Sequence, residues 1–357
     1  MGPPPSSALQ YLMRFKGFSL FAVCVILTLV PGCDNVSWGG LDVILRPPPP
    51  PPSSLLPETE MESEERPPEP LELGPLVYLV DRSGAAGRFL PVAEWRNGTY
   101  EALPDVGETP DLLPRFPLQR WEEGTEFVLM DRGMRAGTLI SDGSVEADST
   151  YCGIRPAGRG TVELRPGAEG GQVFFAVLKA DVESGGFSPR PLAVVPHPGA
   201  GTAAVRQAGA LSLARFIIPR ADVPWPPAIP DILRDTRSFT LDDGGEALAA
   251  SLVFGDDLSV GTPAVTGYGL FALGRRDGDQ WRPFWSWYQT ARQGKAFPRL
   301  RAAGLLREEG EPELILEVFG TEERWLAILG EREGEWGLRY QDACGVSPAT
   351  GALRGWD

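Results

Sequence analysis

The sequence predicts an all-β protein: short antiparallel strands and hairpins in two β regions, behind an N-terminal leader and a disordered Pro/Glu-rich tether. Three observations predict it. Gly (43) and Pro (36) are abundant, and the apolar runs between them are short and rich in Val, Leu, Phe and Trp, as strands joined by turns require. No long helical period stands out; the one ambiguous stretch is TAAVRQAGALSLARFII, Thr202 to Ile218, where alanines favour a helix while Gly209 and a strand-like alternation at its end do not. Finally, part of the chain repeats itself.

At the N-terminus, Arg14 and Lys16 precede an apolar run from Phe18 to Val30. A membrane-spanning helix needs about 20 apolar residues, so this shorter run reads as a cleaved export signal. Met13 suits the start of that signal, because the preceding MGPPPSSALQYL fits no export pattern. Val30, Pro31, Gly32 and Cys33 follow directly. This order resembles the lipobox of bacterial lipoproteins, with Pro31 standing where that family has a small or β-branched residue. The resemblance implies that residues 1–32 are removed, that Cys33 carries the lipid, and that the chain is anchored to a bilayer on the extracytoplasmic side of the cell envelope. An ordinary export signal or an uncleaved anchor is the alternative.

Residues 33–75 read as a tether. Pro47–Pro52 should hold an extended polyproline conformation, rising about 3.1 Å per residue. The following PETEMESEERPPEPLE has too few apolar side chains to fold. The formal charge is −15, and loss of Arg14 and Lys16 with the signal makes the mature chain −17. A chain so acidic repels phosphate backbones, which excludes nucleic acid as an expected partner.

From Leu76 the strand signals begin, and 76–217 is expected to form an N-terminal β domain. PLVYLVDRSG, FLPVAEWRNGTYEAL, EFVLMDRG, GTLISDG, TVELRPG and GQVFFAVL each read as a strand or hairpin, with Asn97-Gly98 as a two-residue turn. The proline-dense 218–235 reads as a connection, 236–346 as a C-terminal β domain of two repeats, and 347–357 as a tail.

Within that second domain, LDDGGEALAASLVFG (Leu241 to Gly255) aligns without gaps on LREEGEPELILEVFG (Leu306 to Gly320), and LGRRDGDQW (Leu273 to Trp281) resembles LGEREGEW (Leu329 to Trp336). The pattern of acidic Gly turns before apolar strands resembles the FG-GAP and VCBS repeats of integrin-type β-propellers. That family's calcium-binding ladder is degenerate here: Asp242, Asp243 and Glu246 remain in the first unit, and Glu308, Glu309 and Glu311 in the second. Calcium takes six to eight correctly spaced oxygens, so these turns read as solvated, and no metal or cofactor is expected. Two repeats are too few for a closed propeller. Either earlier segments such as VYLVDRSGAAGRFLPVAEW supply further blades or the units form an open meander or sandwich, and the second option is favoured.

WRPFWSWY, Trp281 to Tyr288, places Trp281, Pro283, Trp285 and Trp287 on one face of an extended strand. Trp281 aligns with Trp336, Pro283 with Leu338 and Trp285 with Tyr340, so this row reads as core. Trp287 and Tyr288 lack counterparts and are the expected ligand-contact aromatics.

Signals for chemistry are weak. Cys24 leaves with the signal and Cys33 carries lipid, leaving Cys152 and Cys344, which suit a disulfide in an exported domain but whose spacing alone leaves the bond open. The single histidine, His197, lies in a Pro/Gly-rich loop, and no nucleophile elbow or C-x-x-C motif is present. The sequence therefore points to a non-enzymatic lipoprotein presenting a β scaffold to an envelope protein or glycan. The alternatives are an envelope carbohydrate hydrolase using acidic loop residues and a structural envelope component.

Overall fold

A computed structural model describes residues 72–187, 202–221, 224–307 and 310–346. The alternating apolar residues of the first β region close a barrel. Its strands are β1 (Leu76–Ser83), β2 (Ala86–Arg96), β3 (Thr99–Glu101), β4 (Glu126–Asp131), β5 (Met134–Ser141), β6 (Glu146–Asp148), β7 (Arg155–Leu164) and β8 (Val173–Leu178). Antiparallel pairing runs β1–β2–β7–β5–β4–β8 and returns to β1, while β3 and β6 extend the margins. Closure removes the open edge that would otherwise invite pairing with another chain. Asn97-Gly98, with φ of 52° and 81°, makes the expected turn between β2 and β3, and Arg132-Gly133 makes the same kind of turn between β4 and β5.

The barrel interior is aromatic. Tyr78, Phe89 and Phe127 meet edge-on or tilted, and Trp121, following the short helix α1 (Arg115–Gln119), packs over them with Phe116. Trp121 is fully buried, and its Nε1 donates to the Ser144 carbonyl at 3.2 Å. The segment VYLVDRSGAAGRFLPVAEW is the β1–β2 pair of this barrel, so it does not supply a propeller blade.

The two repeats form two four-stranded meanders. The first is β9 (Leu233–Thr240), β10 (Glu246–Phe254), β11 (Tyr268–Asp277) and β12 (Gln280–Thr290); the second is β13 (Phe297–Gly304), β14 (Glu313–Phe319), β15 (Arg324–Arg332) and β16 (Glu335–Gln341). Corresponding faces meet: Ala249, Phe271 and Leu273 of the first sheet pack against Leu314, Leu316 and Leu329 of the second. The result is a sandwich. Its remaining faces are covered as well. Ile315, Leu326 and Ile328 pack on the outer barrel residues Val77, Leu79, Phe175 and Val177. Leu248, Ala250 and Leu252 lie under a helix, α3 (Ala203–Ile217). Barrel, sheet, sheet and helix thus stack in order, and burial of both sheet faces explains why β10 is nearly all apolar from Ala247 to Val253.

α3 resolves the ambiguous stretch. Thr202 caps it by accepting from the Val205 amide at 3.3 Å, and Ala210, Leu213, Ala214 and Ile217 form its buried face. Gly209, unfavourable for a helix by propensity, is required by packing: a Cβ there would lie 2.7 Å from Leu248 and 2.8 Å from the Trp281 indole nitrogen. Because this helix covers the first repeat sheet, the boundary expected at 217/218 is corrected: 203–217 packs with the second β region, β9 begins within the expected connection, and the described residues belong to one compact unit.

The tryptophan row is also corrected. Residues Trp285 and Trp287 face the opposing sheet, but Trp281 packs toward α3. A bulge leaves Phe284 without a cross-strand partner, because Leu273 pairs with Trp285 and Gly274 with Pro283. In the second unit, counted from the shared Leu-Gly pair, the hairpin reaches its Trp one residue sooner. Trp336 pairs with Glu331 and faces the opposing sheet, whereas Trp281 pairs with Arg276. A one-residue offset in a strand exchanges its faces.

Candidate functional site

The repeat alignment sets Leu248 against Glu313 and Leu252 against Glu317. The leucines sit beneath α3, while both acids occupy the β14 face turned to the barrel, at 3% and 0% exposure. Buried carboxylates require partners, and the two differ in how they are supplied.

Glu317 is saturated. Arg299 Nη2 lies 2.5 Å away, Arg324 Nη1 3.0 Å and Arg301 Nη1 3.5 Å. Arg301 also pairs with Asp81 of the barrel, and Arg324 Nε donates to the Thr150 carbonyl at 2.8 Å. A second crossing joins buried Arg155 to Asp342, which accepts from the Tyr340 hydroxyl at 2.6 Å and the Leu326 amide at 2.8 Å. These networks hold barrel and sandwich together.

Glu313 is not saturated. Its Oε1 receives only a long 3.4 Å contact from Arg307 Nη2, and its buried Oε2 has no hydrogen-bond partner. Burial pushes the carboxyl up to about 7, with Arg307 and Arg339 pulling it down and Glu331 pushing it further up. Glu313 lines a pocket of about 190 Å³ at the seam between the barrel and the second repeat sheet. Trp95 and Tyr100, 4.8 Å apart between ring centroids, come from the β2–β3 hairpin. Gly185, Gly186 and Phe187 come from the turn after the helix α2 (Lys179–Glu183), and Leu306 and Arg307 from the segment that follows β13. The Tyr100 hydroxyl is also buried without a partner, and burial first, then the Glu313 charge, raises it well above the ordinary phenol range. Aromatic side chains grouped with an acid and an arginine around one cavity are suited to holding a ligand.

The residues singled out by sequence fall elsewhere. Trp287 is fully buried in the sandwich core and is corrected from a ligand contact to a structural residue; Tyr288 is half-buried on the α3 side beside Tyr268. Cys152 and Cys344 are joined in a disulfide with Cα atoms 6.2 Å apart, tying the β6–β7 loop of the barrel to the chain after β16. Among the described residues, the ligating side chains that gather closely are these two cysteines and Glu323, and the cysteine sulfurs are bonded to each other.

The acidic turns serve local structure. Asp243 pairs with Arg275, Glu246 with Arg276 at 3.0 Å, and Glu311 accepts from the Asp242 amide at 2.9 Å, linking the two turns. Burial holds the Glu311 carboxyl above its ordinary value. Cys33, His197, Glu308 and Glu309 lie outside the described residues.

Sequence reading missed Glu313, Tyr100, Trp95 and Arg307. The signal was present for Glu313, an acid inside an apolar strand where the sister repeat has leucine. No family model matches this chain, and neither a curated protein nor a solved structure matches it. Function is therefore argued from the site itself.

Proposed function

We propose that this protein is an exported, lipid-anchored, non-enzymatic binding protein of the cell envelope. In this reading Cys33 anchors the chain, residues 33–75 hold it away from the bilayer, and the seam pocket receives part of a soluble, protein or glycan ligand. The observation that carries the binding function is the pocket itself, in which Trp95, Tyr100 and Phe187 stand beside Glu313 and Arg307. Among the described residues the pocket lining holds one carboxyl group, where glycoside hydrolysis uses two across the scissile bond, and this favours the binding reading.

The test is in-cell crosslinking and purification of the tagged full chain, compared with Cys33→Ala and Trp95→Ala. A species captured by wild type and lost from both variants, with the Trp95→Ala fold intact by circular dichroism, supports the reading. Capture that is indifferent to Trp95→Ala removes the pocket from it, and equal membrane partitioning of wild type and Cys33→Ala removes the anchor.

A further inference from the structure

We infer that Cys152, Cys344 and Glu323 form a metal site that opens on reduction: cleavage of the disulfide frees two thiolates which, with the Glu323 carboxylate, take a thiophilic divalent cation such as zinc. None of the three lines the seam pocket, so the inference goes beyond the binding reading. A disulfide explains why two sulfurs meet, but it has no need of an acid. The Glu323 carboxylate nevertheless lies within 4.8 Å of both sulfurs. Two thiolates and a carboxylate suit zinc, whose tetrahedral ligands at about 2.0–2.3 Å from the ion stand about 3.5–3.8 Å from one another. Glu323 is exposed, which gives the ion a way in and leaves a fourth position to water.

Hydrogen bonds and an ion pair hold the three donors together independently of the S–S bond. The Cys152 amide donates to the carbonyl of Arg324, the residue after Glu323, at 2.9 Å, and Arg324 Nε donates in turn to the Thr150 carbonyl at 2.8 Å. Glu323 itself closes the β14–β15 turn, its carbonyl accepting from the Gly320 amide at 2.9 Å. On the Cys344 side, the Gly345 amide donates to the Asp342 carbonyl at 2.8 Å, and Asp342 is tied to Leu326 and Arg155. The donors therefore stay neighbours when the bond is broken. A dithiol reductant gives up two electrons and two protons, becoming a disulfide while Cys152 and Cys344 become thiols, and the ion then displaces both thiol protons to solvent. The bound ion restores the tie between the β6–β7 loop and the chain after β16.

The experiment is a titration with cobalt(II), then zinc, of the full-length chain carrying Cys24→Ser and Cys33→Ser, reduced with dithiothreitol that is then removed anaerobically. The reduced protein is expected to bind one ion per chain, with thiolate-to-cobalt charge-transfer absorption and tetrahedral ligand-field bands that zinc abolishes. The oxidised protein should show neither. Glu323→Gln should weaken cobalt binding by at least about tenfold, and Cys152→Ser should remove the charge-transfer band. Zinc should also raise the midpoint of thermal unfolding of the reduced protein and leave that of the oxidised protein unchanged. A reduced protein without the charge-transfer band, or without the thermal shift, overturns the inference, as does equal binding by the oxidised protein. Affinity indifferent to Glu323→Gln, the result if the thiols bind from an unfolded segment, overturns the three-ligand site. The seam pocket stands or falls separately, on Trp95-dependent crosslinking.

Discussion

The Glu313 carboxylate of β14 packs against Gly330 of β15 and occupies the space a side chain at 330 would fill. The corresponding glycine of the first repeat, Gly274, receives Leu213 of α3 instead. One repeated Leu-Gly pair thus serves two purposes, seating a covering helix in one unit and a buried acid in the other.

Gly330→Ala should therefore displace the Glu313 carboxylate and destabilise the protein by about 1–3 kcal/mol, the usual cost of overpacking. Urea unfolding of the single variants and of Gly330→Ala/Glu313→Ala checks this. The cost of the alanine at 330 should shrink in the double variant, because the clashing group is gone.

The pH dependence of stability follows from the raised Glu313 carboxyl. Its folded value, about 7, exceeds the ordinary 4.5, so the native state holds a proton that the unfolded chain releases. That contribution is complete below about 4.5 and is lost as pH rises through about 7. Glu313→Gln should remove the loss, becoming more stable relative to wild type by about 3 kcal/mol between about pH 4.5 and pH 8. Asp181, Asp235 and Glu311 are also raised by burial and add slopes of the same sign, which cancel when the two proteins are compared.

Glu317 makes the opposite case. Removing it leaves Arg299, Arg301 and Arg324 converging on an empty place at the barrel–sandwich junction. Glu317→Leu, which installs the sister repeat's residue, should cost about 3–5 kcal/mol because it strands three half-buried guanidinium groups that converge on one fully buried position. A chemical denaturation curve decides, and a change within experimental error would show that the arginines relax into solvent.

The disulfide should be worth about 2–4 kcal/mol, since Cys152 and Cys344 are 192 residues apart in sequence and their bond restricts a large loop of the unfolded chain. Cys152→Ala/Cys344→Ala should show that loss without reductant, and wild type should show it only with reductant. Equal stability of all samples would mean that the Cys152 amide to Arg324 carbonyl bond, 2.9 Å, and the Arg155–Asp342 pair already hold the junction.

The all-β class was legible because strand periodicity and turn chemistry are local. Asn97-Gly98 adopts positive φ through its own residue preferences, and the repeat is visible because its turns and apolar runs recur in order. Trp287 shows where such reading stops. Its sequence is compatible with either an exposed platform or a core, and the opposing repeat sheet places it in the core.

By itself, then, the sequence determined the antiparallel strands, their pairing into two related meanders, and the lopsided acid content of β14. Tertiary structure decided the rest: barrel closure through β2 and β7, the assignment of α3 to the repeat sandwich, and the seam where Trp95, Tyr100 and Glu313 meet. The reason is range. A turn or an alternation is set by neighbours in the chain, whereas the pocket joins residues more than 200 positions apart, and a one-residue hairpin offset sends Trp281 and Trp336 to different faces.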